Sequence, residues 1–168
     1  DMTYGWTKLT GEFLAQIAAK HYGISIVCIR PFSGYGEDQE TDYPVPAIAL
    51  RAANKENPFE VWGSGKQGRD FVHIDDIIDF IQILMDNVSD GSAYNIGSGK
   101  LTSFLDLIDV FTSFAGYKPT IKPLLDKPVG VHSRYCDMSL VEKKFGWKAK
   151  ISLEEGMRRV YDAAKLKG

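Results

Sequence analysis

Cysteine is scarce in this chain of 168 residues: Cys28 lies in an apolar run and Cys136 in a polar stretch, and neither belongs to a CxxC or histidine-spaced pattern. That argues against a thiolate metal site, so none is expected, and both residues read as buried thiols. An excess of positive charge is also missing. Lys and Arg number 20 against 22 Asp and Glu, so no broad field exists to hold nucleic acid or an anionic membrane surface. No apolar run approaches the roughly 20 residues needed to span a bilayer, and the opening DMTYGWTKL lacks a signal-peptide pattern. A cytoplasmic protein is expected. The absence of any self-similar period excludes solenoids and repeat arrays.

What is present alternates between helical and strand patterns. Leu9, Phe13 and Ile17, widened by Leu14 and Ala18, give residues 4–22 one apolar helical face that stops at Gly23. The β-branched run Ile24–Ile29 reads as a strand covered on both faces. A helix, a glycine stop and a buried strand point to the α/β class. The proline and glycine punctuation of Pro31–Pro46 reads as a long loop, and helix, strand and turn follow at 47–54, 59–62 and 63–68. A helix from about Asp75 to Met85 is expected to open on an acidic cap. Farther on, Ala93–Ile96 reads as a strand, Ser103 caps a helix closed by Gly116, residues 139–145 form a short helix stopped by Gly146, and Ser152 with Glu155 opens the last one.

Tyr4 and Lys8 form YxxxK, a spacing that places both side chains on one helical face, one turn apart. A free phenol titrates near ~10 and is a poor base at neutral pH, but a neighbouring ammonium favours phenolate and proton exchange with a sugar hydroxyl. A Tyr–Lys pair also arises by chance on helix surfaces, and the spacing alone does not decide. The rest of the sequence does. YGWTKLTGE is followed in order by RPFSGYG, RDFVHIDD, YNIGSG and FGWKAKISLEEG.

With these segments the chain resembles the extended short-chain dehydrogenase/reductase family, which contains nucleotide-sugar epimerases, dehydratases and reductases. The resemblance covers nearly the whole chain and implies the carboxy-terminal part of a Rossmann-like parallel sheet plus a small mixed α/β substrate lobe. Residues 1–30 would be the end of the Rossmann-like domain, and 31–168 mainly the substrate lobe, with parts returning to the sheet. Tyr4 and Lys8 match the catalytic pair, Lys8 also being expected to bond the nicotinamide ribose. Pro31 and Ser33 match the stretch beside the nicotinamide that opens onto substrate. Arg69 and Arg134 match arginines that grip the substrate's diphosphate, a role suited to a planar guanidinium. Many relatives have Asn where this chain has Ser33, and a hydroxyl cannot reproduce both functions of an amide. The segments at 59–63 and 128–134 look most like GDP-mannose 3,5-epimerases and GDP-fucose synthases.

Other polar residues read more plainly. Asp75 and Asp76 are expected to stabilise a helix start rather than bind metal. His73 reads as a packed strand residue, and the GSG at 97–99 as a tight turn without the dinucleotide fingerprint. Trp62 and Tyr35 read equally as pocket lining or as packing. The glycine loop and acidic residue that hold the dinucleotide in the family are not found, nor is the Ser or Thr of its catalytic triad. The expectation is therefore a portion of an NAD(P)-dependent nucleotide-sugar enzyme acting through a transient keto-sugar. Alone, it would be inactive and would bind NAD or NADP weakly or not at all. The partners expected are a nucleoside diphosphate sugar, and either a second copy through the first helix or an amino-terminal half. The alternatives are a nucleotide-sugar binding module and a self-associating fragment without catalysis.

Overall fold

A computed structural model describes residues 2–167; residues 1 and 168, the outer bounds of the two expected domains, lie outside the described residues. The elements run α1 (Met2–Tyr22), β1 (Ile26–Pro31), β2 (Ser33–Tyr35), α2 (Pro44–Ala53), β3 (Phe59–Trp62), β4 (Gly68–Arg69), β5 (Phe71–His73) and α3 (Ile74–Asn87). They continue with β6 (Asp90–Ile96), β7 (Thr102–Ser103), α4 (Phe104–Phe114), β8 (Ile121–Leu124), β9 (Ser133–Arg134), α5 (Ser139–Phe145) and α6 (Leu153–Lys167). The class is α/β, as expected. β1 pairs with β6, β2 with β5, β3 with β8 and β4 with β9, all parallel, while β7 runs antiparallel to β4. Parallel pairing needs long crossovers, and α3 lies within the stretch of chain that joins β1 to its partner β6.

Two apolar cores form. The first gathers Phe59, Leu107, Phe111, Met157 and Val160 from β3, α4 and α6. The second gathers Val72, Phe80, Leu84, Ile96, Val141 and Trp147 around α3 and β6, with Trp147 stacked on Phe80 at 4.6 Å and donating its Nε1–H to Asp79. Helix α1 has no buried residue; Trp6 is 64% and Phe13 61% exposed. It rests on β1 and β6. Gly91 permits that approach, since a Cβ there would lie 2.7 Å from the backbone of Gln16.

Several local expectations differ from what forms. The Pro31–Pro46 segment is not all loop, because it contains β2 and its last prolines start α2, where a missing N–H costs nothing. β1 is shifted to 26–31 and is only partly covered, since among the described residues it pairs with β6 alone. Helix α3 is capped by His73, whose Nδ1 accepts from the Asp75 amide, rather than by an acid. Asp76 instead turns away to accept the amides of Lys150 and Ile151 at 3.0 Å, which fixes the closing FGWKAKIS segment against α3. The Ser103 cap is reciprocal with Asp106, and Ser152 Oγ accepts from the Glu155 amide.

Candidate active site

Helix periodicity puts Tyr4, Lys8 and Glu12 on one stripe of α1, and all three line a cavity of about 620 Å³ against β1 and β6. Lys8 Nζ lies 5.3 Å from the centre of the Tyr4 ring. Pro31 ends β1 on the same wall, and Arg134 enters from β9. Open α/β sheets commonly bind ligands beyond the carboxyl ends of their parallel strands, and Pro31 and Ile96 mark those ends here, with Asn95 one residue before. Four of the six expected site residues, Tyr4, Lys8, Pro31 and Arg134, thus share one cavity.

The other two stand one strand away. Ser33 begins β2, donates its amide to the Asp70 carbonyl at 2.9 Å and pairs in register with Phe71. Arg69 lies on β4 directly opposite Arg134 of β9. Its Nη1 donates to the carbonyls of Gly68 and Val131, each at 2.7 Å, which orients the guanidinium. Partial burial, followed by the charge of Arg134, lowers Arg69 below its ordinary pKa.

Sequence reasoning missed Glu12, Cys28, Arg30 and Asn95 on the cavity wall. Glu12 was findable, being one further turn along the Tyr4–Lys8 stripe. Arg30 reaches it with both ends of its fork, Nε to Oε1 at 2.7 Å and Nη2 to Oε2 at 2.5 Å. That bond, against a smaller cost of burial, holds the Glu12 carboxyl below the usual carboxylate range. Cys28 is pushed up by burial and by the charge of Glu12. Asn95 has no local signal; it arrives through its parallel register with Arg30.

The RDFVHIDD and YNIGSG segments meet at Asp70, whose side chain is wholly buried. Oδ1 accepts from the amide and hydroxyl of Ser98, and Oδ2 from the amides of Gly99 and Cys136. The amides of Ser98 and Gly99 in the GSG turn are thereby given to an internal carboxylate. His73 is buried against Tyr35, ring to ring at 5.3 Å, with Nε2 3.3 Å from Glu37 Oε2 but without a directed hydrogen bond. Tyr35 is packing, its phenol raised far above the ordinary range by burial first and Asp76 next. Trp62 is exposed at the end of β3. Among the described residues no group of His, Cys, Asp and Glu has the arrangement of a metal site.

The sequence model of the NAD dependent epimerase/dehydratase family matches residues 2–97. The chain is similar to a GDP-L-fucose synthase of Sinorhizobium fredii, with 29% identity over 168 residues, covering 95% of this chain and 53% of that protein. Among solved structures it is similar to UDP-glucuronic acid 4-epimerase of Bacillus cereus in complex with UDP-glucuronic acid and NAD. The TM-score is 0.84 at 29% identity, over 98% of this chain and 53% of that one. UDP-glucose 4-epimerase of Thermotoga maritima with UDP-glucose gives a TM-score of 0.81 at 27% identity, over 98% and 53%. The Rossmann-like architecture expected from sequence is shared with these structures. The chain spans about half the length of the curated relatives it matches, from 48% to 53%.

Proposed function

Because the chain belongs to the NAD dependent epimerase/dehydratase family, we propose that Tyr4 and Lys8 are the proton-transfer pair of a nucleotide-sugar epimerase, dehydratase or reductase, with Arg69 and Arg134 gripping the sugar nucleotide's diphosphate. One observation carries this reading: a single cavity collects Tyr4, Lys8, Pro31 and Arg134 from the first helix, the end of β1 and distant β9. Its volume lies in the range of small-molecule sites.

The residues present fit the nicotinamide ribose end of a dinucleotide. Among the described residues Lys8 is in no ion pair, and its ammonium lies over the Tyr4 ring at the cavity wall, the two side chains together offering donors to ribose and sugar hydroxyls. When bound, the dinucleotide would supply hydride exchange with a sugar carbon, the source of a transient keto-sugar. Tyr4 takes and returns the proton of the sugar hydroxyl, and Lys8 places positive charge where phenolate forms. Pro31 and Ser33 border the nicotinamide side, and the paired guanidiniums hold the diphosphate so that the reacting carbon faces Tyr4.

The activity is assigned to the whole protein in which these residues take part. The isolated 168 residues are expected to bind NAD or NADP weakly or not at all, because the glycine loop that holds the dinucleotide in the family is not found in them. Calorimetric titration with each dinucleotide tests this, tight stoichiometric binding counting against it. We retain residues 1–30 as the end of the nucleotide domain and 31–168 as mainly the substrate lobe, with β6 returning to β1. The exposed Trp6, Leu9, Phe13 and Leu14 of α1 support a covering partner, either a second copy or the remaining half of a longer protein, and light scattering separates the two. No described helix is long and apolar enough to cross a membrane; a cytoplasmic location is part of the same proposal.

The direct test is Tyr4→Phe in the full-length protein. Turnover of nucleotide sugars should fall by about 10²–10⁴-fold while their affinity holds, as expected for loss of a positioned acid/base. Unchanged turnover removes Tyr4 from the chemistry.

A further inference from the structure

Lys8 and Glu12 are four residues apart on α1, the spacing at which an ammonium and a carboxylate reach each other. Both line the same cavity, where water screens such a pair less than on open surface. Yet they do not pair. Glu12, with only 18% of its side chain exposed, gives both oxygens to the Arg30 fork, and Lys8 is aimed over the Tyr4 ring instead.

Resting on the reading of Tyr4 and Lys8 as the working pair, we propose that Arg30 is a positioning residue: by holding Glu12 from β1 it keeps that carboxylate from capturing the Lys8 ammonium. A planar guanidinium engages both carboxylate oxygens at once, and a single ammonium cannot match that geometry. The Arg30 backbone is held on a strand, in register with Asn95 of β6. A carboxylate of ordinary pKa is ionised at neutral pH, so Glu12, once released from Arg30, would compete for Lys8. The Glu12 charge is met by Arg30, so Lys8 and Arg134 remain as cations on the wall of the same cavity.

The test reads Lys8 itself. Trace acetylation of the full-length protein with acetic anhydride, quantified by mass spectrometry, gives the labelling rate of Lys8 relative to Lys20 at the other end of α1. Arg30→Gln should slow Lys8 by roughly 1.5-fold to twofold, the population change expected of a helical i,i+4 ion pair. Glu12→Gln should leave the parent rate, and the double variant E12Q/R30Q should restore it. A merely structural role predicts the opposite sign, because loosening α1 from β1 exposes Lys8 and speeds its labelling in both Arg30 variants. An unchanged or faster rate in R30Q, or a double variant as slow as the single, overturns the proposal. These rates do not depend on turnover, so failure of the Tyr4 reading is seen separately, as an active Y4F variant.

Discussion

Arg69 and Arg134 face each other across the parallel β4–β9 pairing, their Cα atoms in direct register. Register partners on neighbouring strands project to the same side of a sheet, so two guanidinium groups from well-separated segments are delivered together beside the Tyr4–Lys8 cavity. The carbonyls of Gly68 and Val131 orient one of them before any ligand arrives.

Replacing either Arg69 or Arg134 with Ala should therefore weaken UDP and GDP binding by about 1.5–3 kcal/mol, the worth of a hydrogen bond to a charged group. Uridine and guanosine, which lack the diphosphate, should bind as they do to the parent. Calorimetry with both pairs of ligands checks this, and an equal loss for nucleoside and nucleotide would place the arginines away from the phosphates.

Asp70→Asn should destabilise the protein by about 2–4 kcal/mol. Each carboxylate oxygen accepts two hydrogen bonds, and an amide nitrogen accepts none: an Asn nitrogen in the place of Oδ2 would face the amides of Gly99 and Cys136, and in the place of Oδ1 it would face the Ser98 amide. Urea unfolding followed by circular dichroism measures the loss. A midpoint close to the parent's would mean that the node is not carrying the YNIGSG turn.

Stability should decline in alkali. Cys136 is pushed by burial, and next by Asp70, from an ordinary value of 9.0 up to about 12. The unfolded chain therefore releases this proton above pH 9 while the folded chain retains it until about 12. In that window unfolding becomes easier as pH rises, by up to about 1.4 kcal/mol per pH unit for one proton. Burial raises Tyr35 in the same direction, so the two add. Urea midpoints between pH 8 and 11 for the parent and for Cys136→Ala test the sign: the variant's dependence should be shallower, and parallel slopes would contradict it.

Gly156→Ala should lower the melting temperature although alanine is the better helix former. A Cβ at this position of α6 would stand 2.1 Å from the Tyr35 hydroxyl and 2.9 Å from its ring. The ring is fixed against His73 and Phe71, so the clash is an overpacking cost of about 1–3 kcal/mol. Adding Tyr35→Phe should recover only part of it, since the ring atoms remain too close. Calorimetry of both variants checks the order.

Much of the fold was legible locally. The Ser103 and Ser152 starts and the glycine stops at 116 and 146 depend on neighbours within four residues, and each has its counterpart in the structure, whereas Leu9, Phe13 and Leu14 of the apolar face read in α1 are exposed. His73 was read as a strand residue, and the helix cap it supplies was missed because serine and aspartate are the usual caps. Prolines 44 and 46 were read as loop because the same residue type punctuates loops and begins helices. The short strands β7, β8 and β9 carry almost no periodic signal and exist only through their partners.

The sequence by itself determined the α/β class, the Tyr4–Lys8 spacing and, by resemblance, the family and the residues to examine. Tertiary structure alone decided that Asn95 and Arg134 reach the cavity, that Arg69 stands beside Arg134, that Glu12 belongs to Arg30, and that Asp70 fills the GSG turn. The physical reason is range. Helix faces and caps are set by bonds between residues a turn apart, whereas parallel strands meet only after long crossovers, and their register is chosen by the packing of both cores rather than by any local pattern.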